Sequence, residues 1–512
     1  MPNAIVKNVL VSIILVVLCI VIGAQAAEST SASMGIIIAL VGGCFMLWLG
    51  PRSWVLLFLV PPVMEVLPLP GRLAEVPVSY IVGLVICIYW FIMWGMGYVK
   101  YRWRGYLPLD IIMLLMFCYM VASYVRYPVS MAIFGYDSDY VGGKEYIFCI
   151  LAAIYYLTVS TVDCEYKQIV KVLKWAVRLS VVACLISICM QVFGIVKFGG
   201  LEGLQEEATG SRFMMFAKLS QFVVFLVYGM NSMLQVLISP FRMFAMILSC
   251  VGILISGWRE QMMASGCLVI SLSYVKRELW CMILVLFSIY GVILYLSKEE
   301  ILQEMPYGIQ RSVSILPGVK ISDQIIGSAT HSSEWRIEMW RWALDPRTGY
   351  IRDYTWGDGF GISTDYLRRQ TTALMRGVSN ANQQEMYAIT GKWHNGAIAV
   401  VHRLGYVGLG LVTSIFAITF FAALRVCRAS RGTALYLPSL FLALPYTAAP
   451  AMFYISAGST LTFMLSLASV GMVKFMYCVA REQGLIVPWM LRQRYVPLAI
   501  QEHENMVRPS QP

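Results

Sequence analysis

Of the four histidines in the chain, His331, His394, His402 and His503, one stands where a base is useful. His394 lies in Lys392-Trp393-His394-Asn395-Gly396, directly before a long apolar run. An imidazole titrates closer to neutrality than any other side chain, and at a membrane interface it has both water and a helix to hold it. The chemistry this suits is removal of a proton from a hydroxyl; an interface histidine that only caps the helix is the bland alternative. Arginines supply the complementary chemistry. Arg212 follows the acidic residues Glu202, Glu206 and Glu207 and opens an apolar run, and Arg259 sits in Ser256-Gly257-Trp258-Arg259-Glu260 between two such runs. A guanidinium fixed there either anchors a turn or grips an anion through bidentate hydrogen bonds. Arg336 and Arg341 either join that cluster or are solvated. Lys218 and Arg403 fall inside apolar runs, where a charge needs an anion, a partner or a water-filled cavity. Glu65 and Asp110 stand nearer the ends of their runs, within reach of water by snorkelling.

Glycine and carboxylate patterns are less specific. Gly357-Asp358-Gly359-Phe360-Gly361 lacks the strand and helix that surround a nucleotide loop. It reads either as a plain turn or as a turn whose amides approach an anion. Asp137-Ser138-Asp139 has the form of a metal-binding carboxylate pair, but short Asp-x-Asp sequences are common by chance and no other metal-ligand spacing accompanies it. No metal or cofactor is expected.

The elements that must position these residues are membrane spans. The 512 residues are 59% hydrophobic and 13% charged, with a mean hydropathy of +0.70, against roughly 25% charged residues in a soluble chain. That excludes a soluble globular enzyme, a disordered chain and a secreted disulfide scaffold. About fourteen apolar runs approach the ~20 residues of a span, at 8–26, 35–50, 53–69, 78–98, 107–125, 146–163, 171–196, 213–235, 242–258, 261–276, 279–297, 396–424, 433–452 and 457–479. The first resembles a signal peptide, but further spans follow at once, which predicts an uncleaved helix. The net charge of +11 reads as cytoplasmic loops rather than nucleic-acid binding. With the N-terminus inside, about 19 of the 39 basic residues fall in inner connections and tails and about 6 in short outer ones, so both termini are expected in the cytoplasm. The 13 cysteines lie mostly in apolar runs, without a Cys-x-x-Cys pair, and predict neither disulfides nor a metal cluster.

This gives four parts: an N-terminal bundle over 1–297, a large extracytoplasmic loop over 298–395, C-terminal helices over 396–479 and a cytoplasmic tail over 480–512. A loop of that length is functional or disordered. Its aromatics and amphipathic segments predict a folded loop lying on the outer membrane surface. A short helix is expected over Glu334 to Leu344, with Trp335, Met339 and Trp342 on one side.

The pieces together resemble the O-antigen ligase/polymerase family of bacterial membrane glycosyltransferases. His394-Asn395, an apolar stretch, then Gly405 and Gly408 look like the family's His-Asn…Gly-x-x-Gly signature. Arg336 to Trp340 followed by Gly357, Gly359 and Gly361 is similar to its Arg-x-x-x-Trp…Gly-x-Gly-x-Gly pattern, and Arg212 and Arg259 occupy the places of two arginine motifs. The resemblance covers about residues 200–425. It departs in Trp258 before Arg259, in Glu260 after it, in Gly396 after His394-Asn395 and in the His402-Arg403 pair. It implies an all-α, GT-C-like polytopic protein of the bacterial inner membrane and an O-antigen or exopolysaccharide polymerase or ligase, inverting and metal-independent. The implied partners are a polyprenyl-diphosphate-linked glycan donor, a saccharide or lipid A core acceptor, the bilayer and other polysaccharide-assembly proteins. His394 would be the base, and Arg212, Arg259 and Arg336 would hold the diphosphate. Asn395, Gly357, Gly359, Gly361, Lys218 and Arg403 would support them. The competing reading is a lipid-linked oligosaccharide flippase or another polysaccharide transporter, and a third is a structural scaffold.

Overall fold

Apolar runs become helices because, in hydrocarbon, a chain must bond its own backbone groups, and an α-helix does so within one segment. The computed structural model describes residues 46, 48–59, 72–73, 76–100, 102–129, 140–192, 214–255, 259–298, 301–305, 309–310, 313–314, 316–321, 323–363, 393–457 and 460–486. After a 3-10 turn at Gly50–Ser53 come α1 (Val78–Gly95), α2 (Leu107–Arg126), α3 (Lys144–Thr161), α4 (Tyr166–Val192) and α5 (Met214–Val224). Then follow α6 (Met233–Ile238), α7 (Pro240–Ile255), α8 (Arg259–Lys276), α9 (Leu279–Lys298), α10 (Asp323–Leu344), α11 (Gly396–Ala429), α12 (Tyr436–Leu442) and α13 (Thr460–Glu482). Two antiparallel ladders of two residues each accompany the helices: β1 (Arg72–Leu73) with β2 (Val76–Pro77), and β3 (Tyr140–Val141) with β4 (Ile362–Ser363).

Among the described residues four helices are long and apolar enough to cross a membrane: α2, residues Tyr166–Cys189 of α4, α9 and α11. This is fewer than the fourteen apolar runs, and the sequence supplies reasons. The run 213–235 is divided: α5 passes into a π-helical turn at Phe225–Gly229, and a capping box at Ser232 and Gln235 then starts α6. The run 433–452 holds Pro438, Pro445 and Pro450, each lacking a backbone donor. It is accordingly broken into α12, a 3-10 turn at Leu444–Thr447 and a short helical stretch that leads into a π-helical segment at Met452–Ala457. The run 8–26 lies outside the described residues.

Exposure identifies the solvent. Trp280, Leu284, Phe287 and Tyr295 of α9 are 81%, 69%, 69% and 61% exposed, and Phe241 and Phe244 of α7 are also exposed. Water would not tolerate an apolar surface this continuous on a monomer; lipid does, and the chain is a membrane protein. The protein core lies where α13 packs on α3 and α11 packs on α2 and α13. Gly471 of α13 permits close packing on α3, since a Cβ there would stand 3.2 Å from Tyr156 Cα.

Connections rich in basic residues are tied together at one end of these helices. Arg104 Nε bonds Glu482 at 3.1 Å, Arg104 N donates to Ser160 O, and Arg481 Nη2 donates to Gly105 O at 2.9 Å. Lys276 donates to Tyr228 O and Asn231 O, and Arg431 donates to Lys276 O. Asp110 does not snorkel as expected. It turns inward, its Oδ1 lying 2.6 Å from Lys474 Nζ and 2.6 Å from the Tyr156 hydroxyl, which donates to it, while Tyr106 N donates to Oδ2. The fully buried ammonium of Lys474 on α13 gives the carboxylate a partner inside the protein. Glu65 lies outside the described residues.

The segment between α9 and α11 is folded where it is described. The described residues between 301 and 321 pack back on α7 and α9: Leu302, Val313 and Ile321 are buried against Leu254, Ile293 and Leu296. Ser297 Oγ bonds Lys320 at both N and O, and the Tyr290 hydroxyl donates to Pro317 O. The expected helix at 334–344 is part of the longer α10. Its buried stripe is Met339 and Ala343, with Trp335 and Trp340 packed beside them. Trp342, 39% exposed, is not on that stripe; at ~100° per residue it lies about 60° round from Met339.

Candidate functional site

The segment around His394 is built by three elements that meet at the end of α11 opposite the basic connections. Asn395 is the N-cap of α11: its Oδ1 accepts from Ile398 N at 3.2 Å, and its Nδ2 donates to Tyr454 O at 2.9 Å. Trp393 is fully buried among Met339, Ala343, Ile398 and Ala399. Its carbonyl accepts from Trp340 Nε1 at 2.8 Å, so α10 is fastened to the entry of α11. Between these two residues His394 adopts φ 51°, a left-handed conformation unusual for a residue with a Cβ. Its half-buried ring meets the Trp335 ring edge-on, with centroids 6.0 Å apart. Arg336 is the next residue of α10 and is half-buried.

A second segment enters beneath this one. α11 is broken at Gly405, whose φ of 63° and ψ of −172° interrupt the helical ladder. Residues 353–360 fill the break. Asp358 N donates to His402 O at 2.8 Å and Gly359 N to Arg403 O at 3.0 Å, while Tyr406 N donates to Tyr354 O at 2.8 Å and Val407 N to Thr355 O at 3.3 Å. The Tyr119 hydroxyl of α2 adds bonds to Leu404 O and Trp356 O. The glycines here are required by space: a Cβ at Gly357 would stand 2.4 Å from Leu404 N, and one at Gly405 would stand 2.2 Å from Thr355 O. The amides of Gly357, Asp358 and Gly359 all donate to protein carbonyls. In this arrangement these three amides of the glycine-rich turn are spent on the turn itself and on the helix break. Gly361 directly precedes β4, whose pairing with β3 joins this turn to the start of α3.

Arg403 has found its partner in that turn. Its guanidinium is buried and donates to Gly359 O at 3.1 Å, with the carboxylates of Glu145 and Asp358 near enough to offset its charge. His402 is buried next to it; its Nδ1 accepts from Trp393 Nε1 at 3.1 Å and its Nε2 lies 3.8 Å from Asp358 Oδ2. At the water-facing edge Arg126 of α2 pairs with Asp353 at 2.9 Å. The amide of Trp356, then that of Thr355 and the Arg126 guanidinium, hold the Asp353 carboxyl below the usual range.

The residues singled out from the sequence are therefore gathered unevenly. His394, Asn395, Arg403, Gly357, Gly359 and the helix carrying Arg336 meet at one end of α11. Lys218 lies on α5, half-buried and within electrostatic reach of Cys184 on α4. Arg212 lies outside the described residues, as does the side chain of Arg259, whose backbone begins α8. The helix that follows Arg212 and the helix that Arg259 begins are joined, since Gln221 Nε2 of α5 reaches Ser265 Oγ of α8 at 2.8 Å. α8 also packs on the 452–457 segment that receives the Asn395 bond. Asp137-Ser138-Asp139, His331 and His503 lie outside the described residues or have undescribed side chains. Sequence reading passed over Lys474 and Tyr119. Lys474 carried a signal, a charge within the run 457–479; Tyr119 carried none, because a lone tyrosine within an apolar run reads as ordinary packing.

No family model matches this chain, and no curated protein matches it.

Proposed function

We propose that the chain is a metal-independent, inverting membrane glycosyltransferase, an O-antigen or exopolysaccharide polymerase or ligase of the bacterial inner membrane. It would work on the outer face, with both termini in the cytoplasm and about fourteen spans in a GT-C-like arrangement. The observation that carries this reading is the presentation of His394, a left-handed histidine at the entry of a membrane helix, between a buried Trp393 and an N-capping Asn395. Left-handed residues with a Cβ cost about 1–3 kcal/mol and cluster at working sites.

In the proposed reaction the His394 imidazole takes the proton of an acceptor sugar hydroxyl. That oxygen attacks the anomeric carbon of the donor sugar, and the bond to the polyprenyl diphosphate breaks with inversion. The departing oxygen carries the electron pair and is stabilised by Arg212, Arg259 and Arg336 as pre-organised cations. The supporting geometry is the position of Arg336 next to Trp335 and the Gln221–Ser265 bond joining the helix that follows Arg212 to the helix that Arg259 begins.

The test is transfer by purified protein from a polyprenyl-diphosphate glycan to a saccharide acceptor, with and without chelator. Activity is expected to survive chelator, and His394→Ala is expected to lower it by about 100-fold or more, the scale of a lost general base. Full activity of His394→Ala would refute the mechanism. Movement of the lipid-linked glycan across a bilayer without a new glycosidic bond would support the flippase instead.

A further inference from the structure

We infer that His402 and Trp340 are positioning residues which, through Trp393, hold His394 in its left-handed conformation and couple it to the docked 353–360 segment. The inference deepens the reading of His394 as the base and rests on it for its kinetic consequence, but not for its structural one.

Strain persists only where neighbours over-determine it. Trp393, directly before His394, is held at three places. Its indole Nε1 donates to His402 Nδ1 at 3.1 Å, its carbonyl accepts from Trp340 Nε1 at 2.8 Å, and its ring stands edge-on to Tyr350 with centroids 6.1 Å apart. Asn395, directly after His394, is held at two places by its capping bond to Ile398 N and its bond to Tyr454 O. With both neighbours fixed, the peptide planes flanking His394 cannot rotate independently, and the ring is held against Trp335.

The tautomer of His402 follows from its partner. An indole N–H only donates, so Nδ1 must be the acceptor and the proton lies on Nε2. That N–H faces Asp358 Oδ2 at 3.8 Å. Asp358 is itself fixed, its carboxylate accepting from Arg352 N and Asp353 N and its amide donating to His402 O. The two histidines thus divide the work: His402, 5% exposed, is committed to its protein partners, whereas His394 is half-buried at the surface. A chain of contacts runs from the docked segment through Asp358, His402 and Trp393 to His394.

The experiment compares full-length His402→Leu, His402→Asn and Trp340→Phe proteins in lipid nanodiscs. Leu has no acceptor for the indole N–H, whereas the Asn amide oxygen stands close to where Nδ1 stood; Phe keeps an aromatic ring at position 340, smaller than the indole, and removes its donor. Hydrogen exchange of amides 393–398 reads the geometry without reference to activity. We expect exchange to rise about tenfold in His402→Leu and Trp340→Phe, as for loss of a bond worth about 1.4 kcal/mol, and to stay near wild type in His402→Asn. Transfer kcat should fall about 10- to 100-fold in the first two with KM within about twofold, the mark of a misplaced catalytic group. Asn should restore most of kcat. Unchanged exchange in Leu and Phe, or an Asn variant as impaired as Leu, overturns the inference. If His394→Ala proves fully active, the glycosyl-transfer reading falls, and the exchange data still decide whether the clamp exists.

Discussion

Gly405→Ala attacks the joint between the glycine-rich segment and α11. The new methyl would stand 2.2 Å from Thr355 O on a backbone with φ 63° and ψ −172°, so it cannot be accepted in place. The chain has two ways out. It can keep the break, at a strain of about 1–3 kcal/mol plus the clash. Or α11 can straighten, which lets Tyr406 N and Val407 N turn back to His402 O and Arg403 O as in a regular helix. Straightening removes the four backbone bonds that dock residues 353–360 and the Arg403 bond to Gly359 O. Four bonds at about 0.5–1.5 kcal/mol each amount to roughly 2–6 kcal/mol, partly returned by the new helical bonds and by water on the released segment. Either route is expected to weaken docking by about 2 kcal/mol, equivalent to a roughly thirtyfold rise in opening. Hydrogen exchange of residues 353–360 should therefore accelerate by about that factor, and a protease should cut there, while α3 and α13 retain their protection. Exchange in 353–360 that stays at the wild-type rate in Gly405→Ala, or a loss of protection by the whole bundle together, would refute this docking.

Three further outcomes follow from other parts of the fold. Lys474→Leu leaves the part-buried Asp110 carboxylate with the Tyr156 and Tyr106 donors but without its cation and should cost about 2–3 kcal/mol; the double variant Asp110→Asn/Lys474→Leu should recover much of the loss in thermal unfolding, and a double variant no better than the single would refute the pairing. The Asp353 carboxyl is held below its unfolded pKa by the Trp356 and Thr355 amides and by Arg126. Its contribution to docking is therefore complete above the unfolded value of about 3.9 and is lost as pH falls through the lower folded one. Protease resistance of residues 345–363 should drop in that acid window, and Asp353→Asn should be less resistant at neutral pH with a flatter profile. Finally, Gly396→Val should displace the Phe453 ring, whose atoms would lie 2.4 Å from an added Cβ; a raised exchange rate at 395–398 with intact α13 is the expected result, and an unperturbed start of α11 would contradict the packing.

Much of this protein was legible without coordinates because its solvent is legible. An apolar run of span length can satisfy its backbone only as a helix, so the composition dictates helices for α2, α4, α9 and α11 and sends the side chains of α9 outward. Local chemistry also bears on the ends, though it was legible only afterwards: the structure makes Asn395 the N-cap of α11, and the prolines after residue 435 break a run that hydropathy alone counts as one span. Residue type likewise marks His394, Lys218 and Arg403 as charges or bases in places where such groups need a reason.

Tertiary structure alone decided what those groups meet. Nothing local pairs Arg403 with Gly359, 44 positions earlier, or brings Lys474 to Asp110 across the bundle. Sequence periodicity placed Trp342 with Trp335 and Met339, whereas the stripe that is buried is set by where Trp393 lies. The glycine-rich turn shows the difference most clearly. Its composition fits both a plain turn and an anion cradle, because both need backbone that a Cβ would obstruct. Only the break at Gly405 settles where its amides go: a helix that exposes the carbonyls of His402 and Arg403 inside an apolar protein must have donors brought to it, and residues 358 and 359 are those donors.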